Sequence, residues 1–481
     1  MTVSPIVLLI VGLYLCGMLL LGIWASRSRI KDADDFMVAG RRLPWYILAA
    51  TLAATEVGGG SCMGVTQKAY GKWGLGSAWY IWTMAITFVI FALVAPMLTR
   101  TRCRTIPQFF RERYGDRSAV MASLLMIVSL IGLTAVQMIA TGKIIQFMTG
   151  MSYIHAVILS GIVVIFYTYL GGMWSVSLTD FVQWIFIVVG MAAAIPFALS
   201  KAGGYDKVMS SLPPGKLSLF EGIGYGQIAS LVVIYCTSFL VGQEAMQRLY
   251  SAKDEANARL GALATSGFYV VFGFIPPALG IIAYSMAGQG IISASALADA
   301  GRDGMLPLVA SHCLPTFLTG ILFAGLISAT MSSADSDLLG AASIWSNDLA
   351  PIFWGGDKDT TLCMRRTKQA VFVVGIAGTV VACLQPQSII NMLKFSFGLR
   401  AAGPFFPFLL GHFWPRGSSL GAESSIAGAT ILVAILKYTG YEPWGIDPVI
   451  PGLLVGGVLY LLLSLLKPDK EIPTENLPAK A

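Results

Sequence analysis

Apolar runs of about 18 to 25 residues recur along the whole of this chain, and each is long enough to cross a bilayer as a helix. Charged residues make up 12% of the 481 residues, whereas a soluble domain has roughly 25%. A membrane β-barrel would instead alternate polar and apolar residues over about ten positions. The sequence therefore predicts an all-α polytopic membrane protein.

The apolar runs predict about 13 transmembrane helices. Their expected ranges are 4–26, 45–67, 74–98, 119–148, 153–170, 175–200, 227–246, 262–287, 315–343, 369–385, 389–413, 420–438 and 449–466. The first run is no signal peptide, because its positive charges follow the apolar stretch and do not precede it.

Lysine and arginine indicate the orientation of these helices. With the N-terminus outside and the C-terminus in the cytoplasm, 22 of the 32 basic residues fall on the cytoplasmic side. The net charge of +7 is then mostly a topology signal, and its scatter over short loops argues against a nucleic-acid surface. The predicted location is the plasma membrane (the cell inner membrane), with membrane lipid as a partner and no obligate protein partner.

Motifs for catalysis fail on inspection. GGGSCMG (58–64) lacks the G-x-S-x-G spacing, because Met63 stands where the last glycine belongs. No Gly-Lys-Ser/Thr follows it, so it is not a phosphate-binding loop either. We predict that the protein is not an enzyme.

The stretch ISATMSSADSDLLG (327–340) places polar residues inside a predicted span. At 100° per residue, five small residues share one helix face, with Asp335 and Asp337 on opposite flanks roughly 160° apart. The small-residue face comprises Ala329, Ser332, Ser333, Ser336 and Gly340. Helix packing explains the small residues but not the aspartates, since a mid-membrane carboxylate costs on the order of 3 kcal/mol. A cation site, built from oxygen ligands, is the second interpretation.

The second span contains LAATEVGGGSCMG (52–64). Each of its three consecutive glycines costs about 1 kcal/mol relative to alanine inside a helix. Close packing is one explanation, and a helix broken near the membrane midplane is the other. The neighbouring intramembrane Glu56 favours the broken helix.

Six stretches of the chain resemble the sodium:solute symporter family, in order from about residue 32 to residue 428. They are DADDFMVAGRRLPW (32–45), TIPQFFRERYG (105–115), YTYLGGMWSVSLTDFVQW (167–184), VGQEAMQRLYSAKDEANAR (241–259), MSSADS (331–336) and LLGHFWPRGSSLGAESSIAG (409–428).

This resemblance implies a leucine-transporter-like core of five plus five helices in inverted repeat, with alternating access. Spans two to six would form one repeat and spans seven to eleven the other. The expected divisions are an extra N-terminal helix (1–31), the first repeat (32–200), the second repeat (201–413), two C-terminal helices (414–466) and a cytoplasmic tail (467–481).

The resemblance also implies sodium as the coupling ion. The family's sodium ligands carry over to the carbonyl oxygens of Ala54, Val57 and Ala329 and to the hydroxyls of Ser332 and Ser333. Some members bind a second sodium, at positions that correspond here to Asp180, Ser332, Ser333, Asp335 and Ser336. An aspartate at 335 leaves three alternatives, a stronger site, a titrating group or a structural pair, while Asp180 is also explained as an interfacial or helix N-terminal charge.

The ion motifs are most similar to those of the choline-transporter and proline-permease branches. Glu56 stands where the choline branch has a box tryptophan and where the proline branch has an aspartate. An ionised Glu56 favours an amino group, whereas Arg400 would attract an anion. The substrate-binding candidates are Glu56, Gly58, Gly59, Gln137, Gln243 and Arg400; helix-to-helix hydrogen bonds explain the two glutamines equally well.

Together these features predict a sodium-coupled symporter that imports a small polar organic solute. An amino-bearing cation or zwitterion is favoured: an amino acid, a choline-like amine or a polyamine. The alternatives are a monocarboxylate, a sugar or a urea-type solute, or an ion channel. Glu244 is expected to close a cytoplasmic gate by pairing with Arg248, four residues along the same helix.

Overall fold

The computed structural model describes residues 3–101, 103–301, 303–355, 360–384, 389–443 and 446–469. Several predictions fall outside these ranges: the topology charges Arg102, Arg302 and Lys358, the last residue of the predicted span 369–385, and the tail from 470 onward. Within the described residues the regular elements are helices, and the β pairing consists of an isolated bridge between Leu43 and Ala252.

Twenty-three α-helices follow one another in the described part of the chain. The first twelve are α1 (Pro5–Arg29), α2 (Ala33–Val38), α3 (Trp45–Glu56), α4 (Val65–Tyr70), α5 (Ala78–Arg100), α6 (Ile106–Tyr114), α7 (Asp116–Thr149), α8 (Tyr153–Leu170), α9 (Met173–Lys201), α10 (Tyr205–Ser210), α11 (Tyr225–Leu240) and α12 (Gln243–Tyr250). The others are α13 (Glu255–Phe272), α14 (Ile275–Gly288), α15 (Ala294–Ala300), α16 (Met305–Cys313), α17 (Thr316–Ile344), α18 (Ala350–Trp354), α19 (Thr360–Leu384), α20 (Ile389–Ala402), α21 (Phe405–Gly411), α22 (Ser419–Thr439) and α23 (Val449–Leu466).

Ten helical segments of the described chain are long and apolar enough to cross a membrane, and α11 with α12 forms an eleventh span bent by 49°. The two remaining predicted spans are interrupted helices, α3 with α4 and α20 with α21. An interrupted span leaves two pieces that are each too short to cross alone. The expected set of about 13 spans therefore includes three that are broken or bent.

Helix α17 lies at the centre of the bundle, where it packs against α1, α7 and α9. Nearly every residue from Phe323 to Ile344 is buried, polar ones included. Small residues allow the close approach: a Cβ on Gly325 would lie 2.8 Å from the carbonyl oxygen of Phe186 on α9. The polar stretch is therefore enclosed by protein and is not exposed to lipid, as intramembrane polar residues require.

Candidate substrate and cation site

The predicted break in the second span is confirmed. Helix α3 ends at Glu56, and one π-helical turn (Gly60–Gly64) leads into α4. The glycines at the break are also tightly packed, since a Cβ on Gly58 would lie 2.6 Å from Ser333 Oγ and 2.7 Å from Gln137 Oε1. Both explanations of the glycines therefore hold, because the unwound backbone approaches α7 and α17 more closely than a side chain allows.

A central cavity lies beside this break. It contains ≈ 350 Å³ of space that no atom fills, open solvent included. Its lining residues are Thr55, Glu56, Gly58, Gly60, Ser61, Tyr80, Met84, Leu133, Gln137, Glu244, Ser333, Asp337, Leu393 and Phe397. Carboxylates, aromatic rings and aliphatic side chains thus face one small space.

Two carboxylates on this cavity have no protein partner among the described residues. Glu56 is 9% exposed and its Oε1 atom is buried without a hydrogen bond. Asp337 is 4% exposed, and no hydrogen bond or ion pair joins its carboxylate to the described part of the chain. A buried carboxylate without a partner is costly. These two carboxylates are therefore the main chemical feature of the cavity.

The third carboxylate on the cavity, Glu244, is paired. Arg400 Nη1 donates to Glu244 Oε2 at 2.7 Å and Arg400 Nη2 donates to Oε1 at 2.5 Å, a bidentate pair. Arg400 Nε also donates to Ser238 Oγ at 2.8 Å. We call Glu56, Asp337, Glu244 and Arg400 the cavity cluster. Arg400 itself is fully buried and does not line the cavity, so a substrate carboxylate would have to compete with Glu244 for it.

The sequence-predicted sodium ligands of α3 and α17 lie next to each other. Ser332 Oγ donates to the Ala54 carbonyl oxygen at 2.9 Å and to that of Ala329 at 3.2 Å. Ser333 Oγ donates to Ala329 O at 3.0 Å. Val57 is the first residue after α3 ends. Carbonyl and hydroxyl oxygens are suitable ligands for a hard cation, and a bound ion would replace these hydroxyl hydrogen bonds.

Three of the residues proposed for a second sodium, Asp180, Asp335 and Ser336, lie around an arginine. Arg248 Nη2 donates to Asp180 Oδ2 at 3.2 Å and to Ser336 Oγ at 2.5 Å, while its Nε donates to Thr51 Oγ1 at 2.9 Å. Asp335 lies beside this group, with its Oδ1 atom 3.3 Å from Ser336 Oγ. We call these residues (Thr51, Asp180, Arg248, Asp335 and Ser336) the Arg248 cluster. All are essentially fully buried, so Asp180 is not an exposed interfacial charge.

The expected side-chain pair between Glu244 and Arg248 is not formed, and that expectation is wrong. Arg248 Nη1 donates to the backbone carbonyl of Glu244 at 2.9 Å, while the carboxylate binds Arg400. Helical spacing correctly placed the two residues on one face, but each side chain bonds a residue of another helix. Lys394 on α20 also has a partner from another segment, since its Nζ atom lies 2.9 Å from Oδ2 of Asp447 in the loop before α23.

The two glutamine candidates have different positions. Gln137 lines the cavity, and its Oε1 accepts from the Gly59 N–H at 3.0 Å, which stabilises the break in α3. Gln243 faces away from it: its Oε1 accepts from Ile106 N at 2.9 Å and its Nε2 donates to Arg104 O at 3.2 Å. Gln243 thus fastens α12 to the segment before α6.

A second, larger space opens on the side of the membrane where α1 begins, which we call the N-side. It contains ≈ 1130 Å³ of space that no atom fills, open solvent included. The turn before α4 and helices α7, α15 and α16 contribute lining residues, among them Met63, Lys143 and Asp299. Met63 belongs to the same π-helical turn as Gly60 and Ser61, which line the cavity. This one turn therefore separates the N-side vestibule from the cavity.

Comparison with known proteins decides the family. The model of the sodium:solute symporter family matches residues 36–428. The chain belongs to the sodium:solute symporter family. It is a multi-pass membrane transporter that couples a small-molecule solute to sodium, not an enzyme.

Known relatives of this symporter carry different solutes. A sodium/proline symporter of Staphylococcus aureus is 23% identical, over 97% of this chain and 94% of the relative. A sodium/glucose cotransporter of Vibrio parahaemolyticus is 25% identical, over 96% and 90%. In structure, a substrate-bound, outward-open sodium-coupled sialic acid symporter matches with a TM-score of 0.84 and 20% identity, over 98% and 99%. The fold is therefore the predicted leucine-transporter-like, five-plus-five inverted-repeat core.

The sequence analysis missed several residues of the cavity of this symporter. Asp337 was noticed as an intramembrane acid but not assigned to the site, although its spacing of four from Ser333 was a usable signal. Tyr80 and Phe397 had no such signal, because aromatic residues in spans are usually packing residues. Both line the cavity, and both pack against Tyr235, whose ring centroid lies 5.0 Å from that of Tyr80 and 5.1 Å from that of Phe397.

Proposed function

We propose that this symporter imports a small amino-bearing cation together with sodium, and that Glu56 binds its ammonium group. The carboxylate of Glu56 is buried, faces the cavity and lacks a partner in the part of the chain that the structure describes. This single observation carries the proposal, because an ammonium group would supply both the charge and the hydrogen bonds that the protein does not.

Other features of the cavity support a cation over an anion. Arg400, the basic residue nearest the cavity, is occupied by the Glu244 carboxylate and Ser238. Tyr80 contributes an aromatic ring to the lining, and such rings attract cations by their negative faces. The ring of Phe397 already has the Arg400 guanidinium over it, 5.0 Å from its centroid. A sugar would need several polar groups that are free to hydrogen-bond it, whereas the hydroxyls of Thr55, Ser61 and Ser333 in the lining already donate to backbone carbonyl oxygens.

Sodium would act at the junction of α3 and α17. The proposed ligands Ala54 and Val57 lie two residues before and one residue after Glu56 in sequence, while Ser333 both belongs to the sodium set and lines the cavity. An ion that holds the end of α3 against α17 also fixes the position of Glu56. In this mechanism, sodium raises solute affinity by ordering the Glu56 carboxylate that binds the solute. The binding of sodium and the binding of solute are then coupled reciprocally.

The orientation and division of the chain are part of the same proposal. The N-side would face outward, since basic residues collect on the opposite side. Solute would then enter the N-side vestibule and pass the π-helical turn at Gly60–Gly64 to reach Glu56. We propose the plasma membrane as the location, and the ranges 32–200 and 201–413 as the two inverted repeats.

The test is thermal stabilisation of the purified protein by amines, amino acids, monocarboxylates and sugars, in sodium and in potassium. A ligand raises stability by RT ln(1 + [L]/Kd), so an amine is expected to stabilise in sodium and to do so poorly in potassium. Glu56→Gln should abolish the amine effect, whereas Glu442→Gln, at an exposed loop position, should retain it. Stabilisation by carboxylates or sugars that survives Glu56→Gln would refute an amine substrate.

A further inference from the structure

We propose that the preferred solute carries two amino groups, one bound by Glu56 and the other by Asp337. This inference rests on the proposed function and adds a second recognition residue to it. The solute class would be a short linear diamine, whose two ammonium groups are joined by a hydrocarbon chain.

The first support is the state of Asp337. Its side chain is 4% exposed, lines the same cavity as Glu56, and has no hydrogen bond or ion pair with the described residues. Asp335, two positions earlier, points away and contacts Ser336 in the Arg248 cluster. The two aspartates of the same stretch thus have different surroundings, and only Asp337 faces the substrate space.

The second support is the charge of the cavity cluster. Three carboxylates (Glu56, Asp337 and Glu244) face one guanidinium, that of Arg400, which is already bidentate to Glu244. Two carboxylates therefore remain without a counter-charge when all are ionised. A monoamine satisfies one of them, and buried charge of one sign is costly when it is left unpaired.

Bound sodium is the competing source of positive charge. Its proposed ligands Ala54, Ala329 and Ser332 do not line the cavity, whereas Asp337 does. Ser333 is a proposed ligand that also lines the cavity, but its hydroxyl donates to the Ala329 carbonyl oxygen at 3.0 Å. The carboxylate of Asp337 lines the cavity and accepts no hydrogen bond from Ser333. This position favours a solute group as its partner.

The third support is the rest of the cavity lining. Glu56 comes from the end of α3 and Asp337 from α17, so the two carboxylates approach the cavity from different helices. Met84, Leu133 and Leu393 supply aliphatic surface in the same cavity. A chain of methylene groups between two ammonium groups matches a cavity that contains both acids and apolar surface.

The experiment compares diamines of three to six carbons with monoamines and ω-amino acids of the same length, by sodium-dependent thermal stabilisation and by uptake into proteoliposomes. One diamine should bind roughly tenfold or more tightly than its monoamine, the value of one additional charge-assisted hydrogen bond. Asp337→Asn should bring this ratio close to one while monoamine affinity changes little. Asp299→Asn, at an exposed acid in the N-side vestibule, should leave the ratio unchanged.

Each other outcome has a distinct meaning. Equal wild-type affinity for diamines and monoamines would overturn the diamine inference and leave the amine proposal standing, and this comparison needs no variant to fold. The diamine inference would also be overturned if Asp337→Asn lowered the affinity for sodium by the same factor with diamines and with monoamines, since sodium would then be the partner of Asp337. If no amine stabilises the wild-type protein, the proposed function itself fails.

Discussion

The Arg248 cluster and the cavity cluster use the same residue types, yet the guanidinium of the first joins three helices, whereas the carboxylates of the second line a cavity. In the Arg248 cluster, three donor–acceptor contacts from one guanidinium join α3, α9 and α17. In the cavity cluster, the guanidinium of Arg400 is used by Glu244, and Glu56 and Asp337 face empty space.

This difference separates structural from functional charge. A buried ion pair holds together the helices that carry its two partners, because removal of either partner leaves an uncompensated buried charge. An unpaired carboxylate next to a cavity contributes no packing energy and is retained at a cost, which is typical of a binding group. Variants of the two clusters should therefore fail in different ways.

The largest effect is expected for Arg248→Gln. Loss of the guanidinium would leave Asp180 and Asp335 buried without a counter-charge, and breaking such a pair typically costs about 3–5 kcal/mol. Thermal unfolding of the purified protein should show a large decrease in stability. Arg42→Gln is the control: that side chain is 57% exposed, so its pair with Asp35 should contribute less than about 1 kcal/mol. Equal stability of the two variants would contradict a structural role for the Arg248 cluster.

The second prediction compares two glutamates of the cavity. Glu244→Gln breaks the bidentate pair with Arg400 and should lower stability by about 2 kcal/mol or more. Glu56→Gln removes a charge that has no partner, so stability should be unchanged or higher while amine binding is lost. A loss of stability in Glu56→Gln as large as that in Glu244→Gln would mean that Glu56 is a structural residue.

The third prediction concerns sodium. Ser332→Ala combined with Ser333→Ala removes two proposed oxygen ligands and should raise the sodium concentration needed for stabilisation by roughly tenfold or more. The matched control on the same helix is Ser328→Ala, whose hydroxyl bonds Tyr14 on α1. Sodium dependence that is the same in the double variant and the wild type would remove these serines from the cation site.

The smallest effect is expected at Asp447, where water reaches the ion pairs. Burial alone would raise the pKa of this loop carboxyl, but Lys394 and Lys437 outweigh it and the pKa is lowered. The pairs therefore stabilise the protein above the ordinary aspartate pKa of about 4 and lose this effect as pH falls through the lowered value. Asp447→Asn should cost about 1 kcal/mol or less near pH 7, and its melting curve should approach that of the wild type as pH falls through the lowered pKa.

Much of the fold was predictable because it depends on local pattern. Apolar runs long enough to span a bilayer marked the helices, and the three glycines after Glu56 marked the break in α3, since both signals act within a few residues. The 100° helical step also placed Asp335 and Asp337 on opposite flanks, and they face different clusters in the structure.

The sequence by itself determined the class of protein, the broken helix and which faces are polar, because these follow from chain-local periodicity and from the cost of charge in a membrane. Only the tertiary structure decided the partners. Arg248 bonds Asp180 from 68 positions away and Arg400 bonds Glu244 from 156 positions away, although Glu244 and Arg248 are one turn apart. Which acid remains unpaired depends on which helices lie next to each other, and that is set by the packing of the whole bundle.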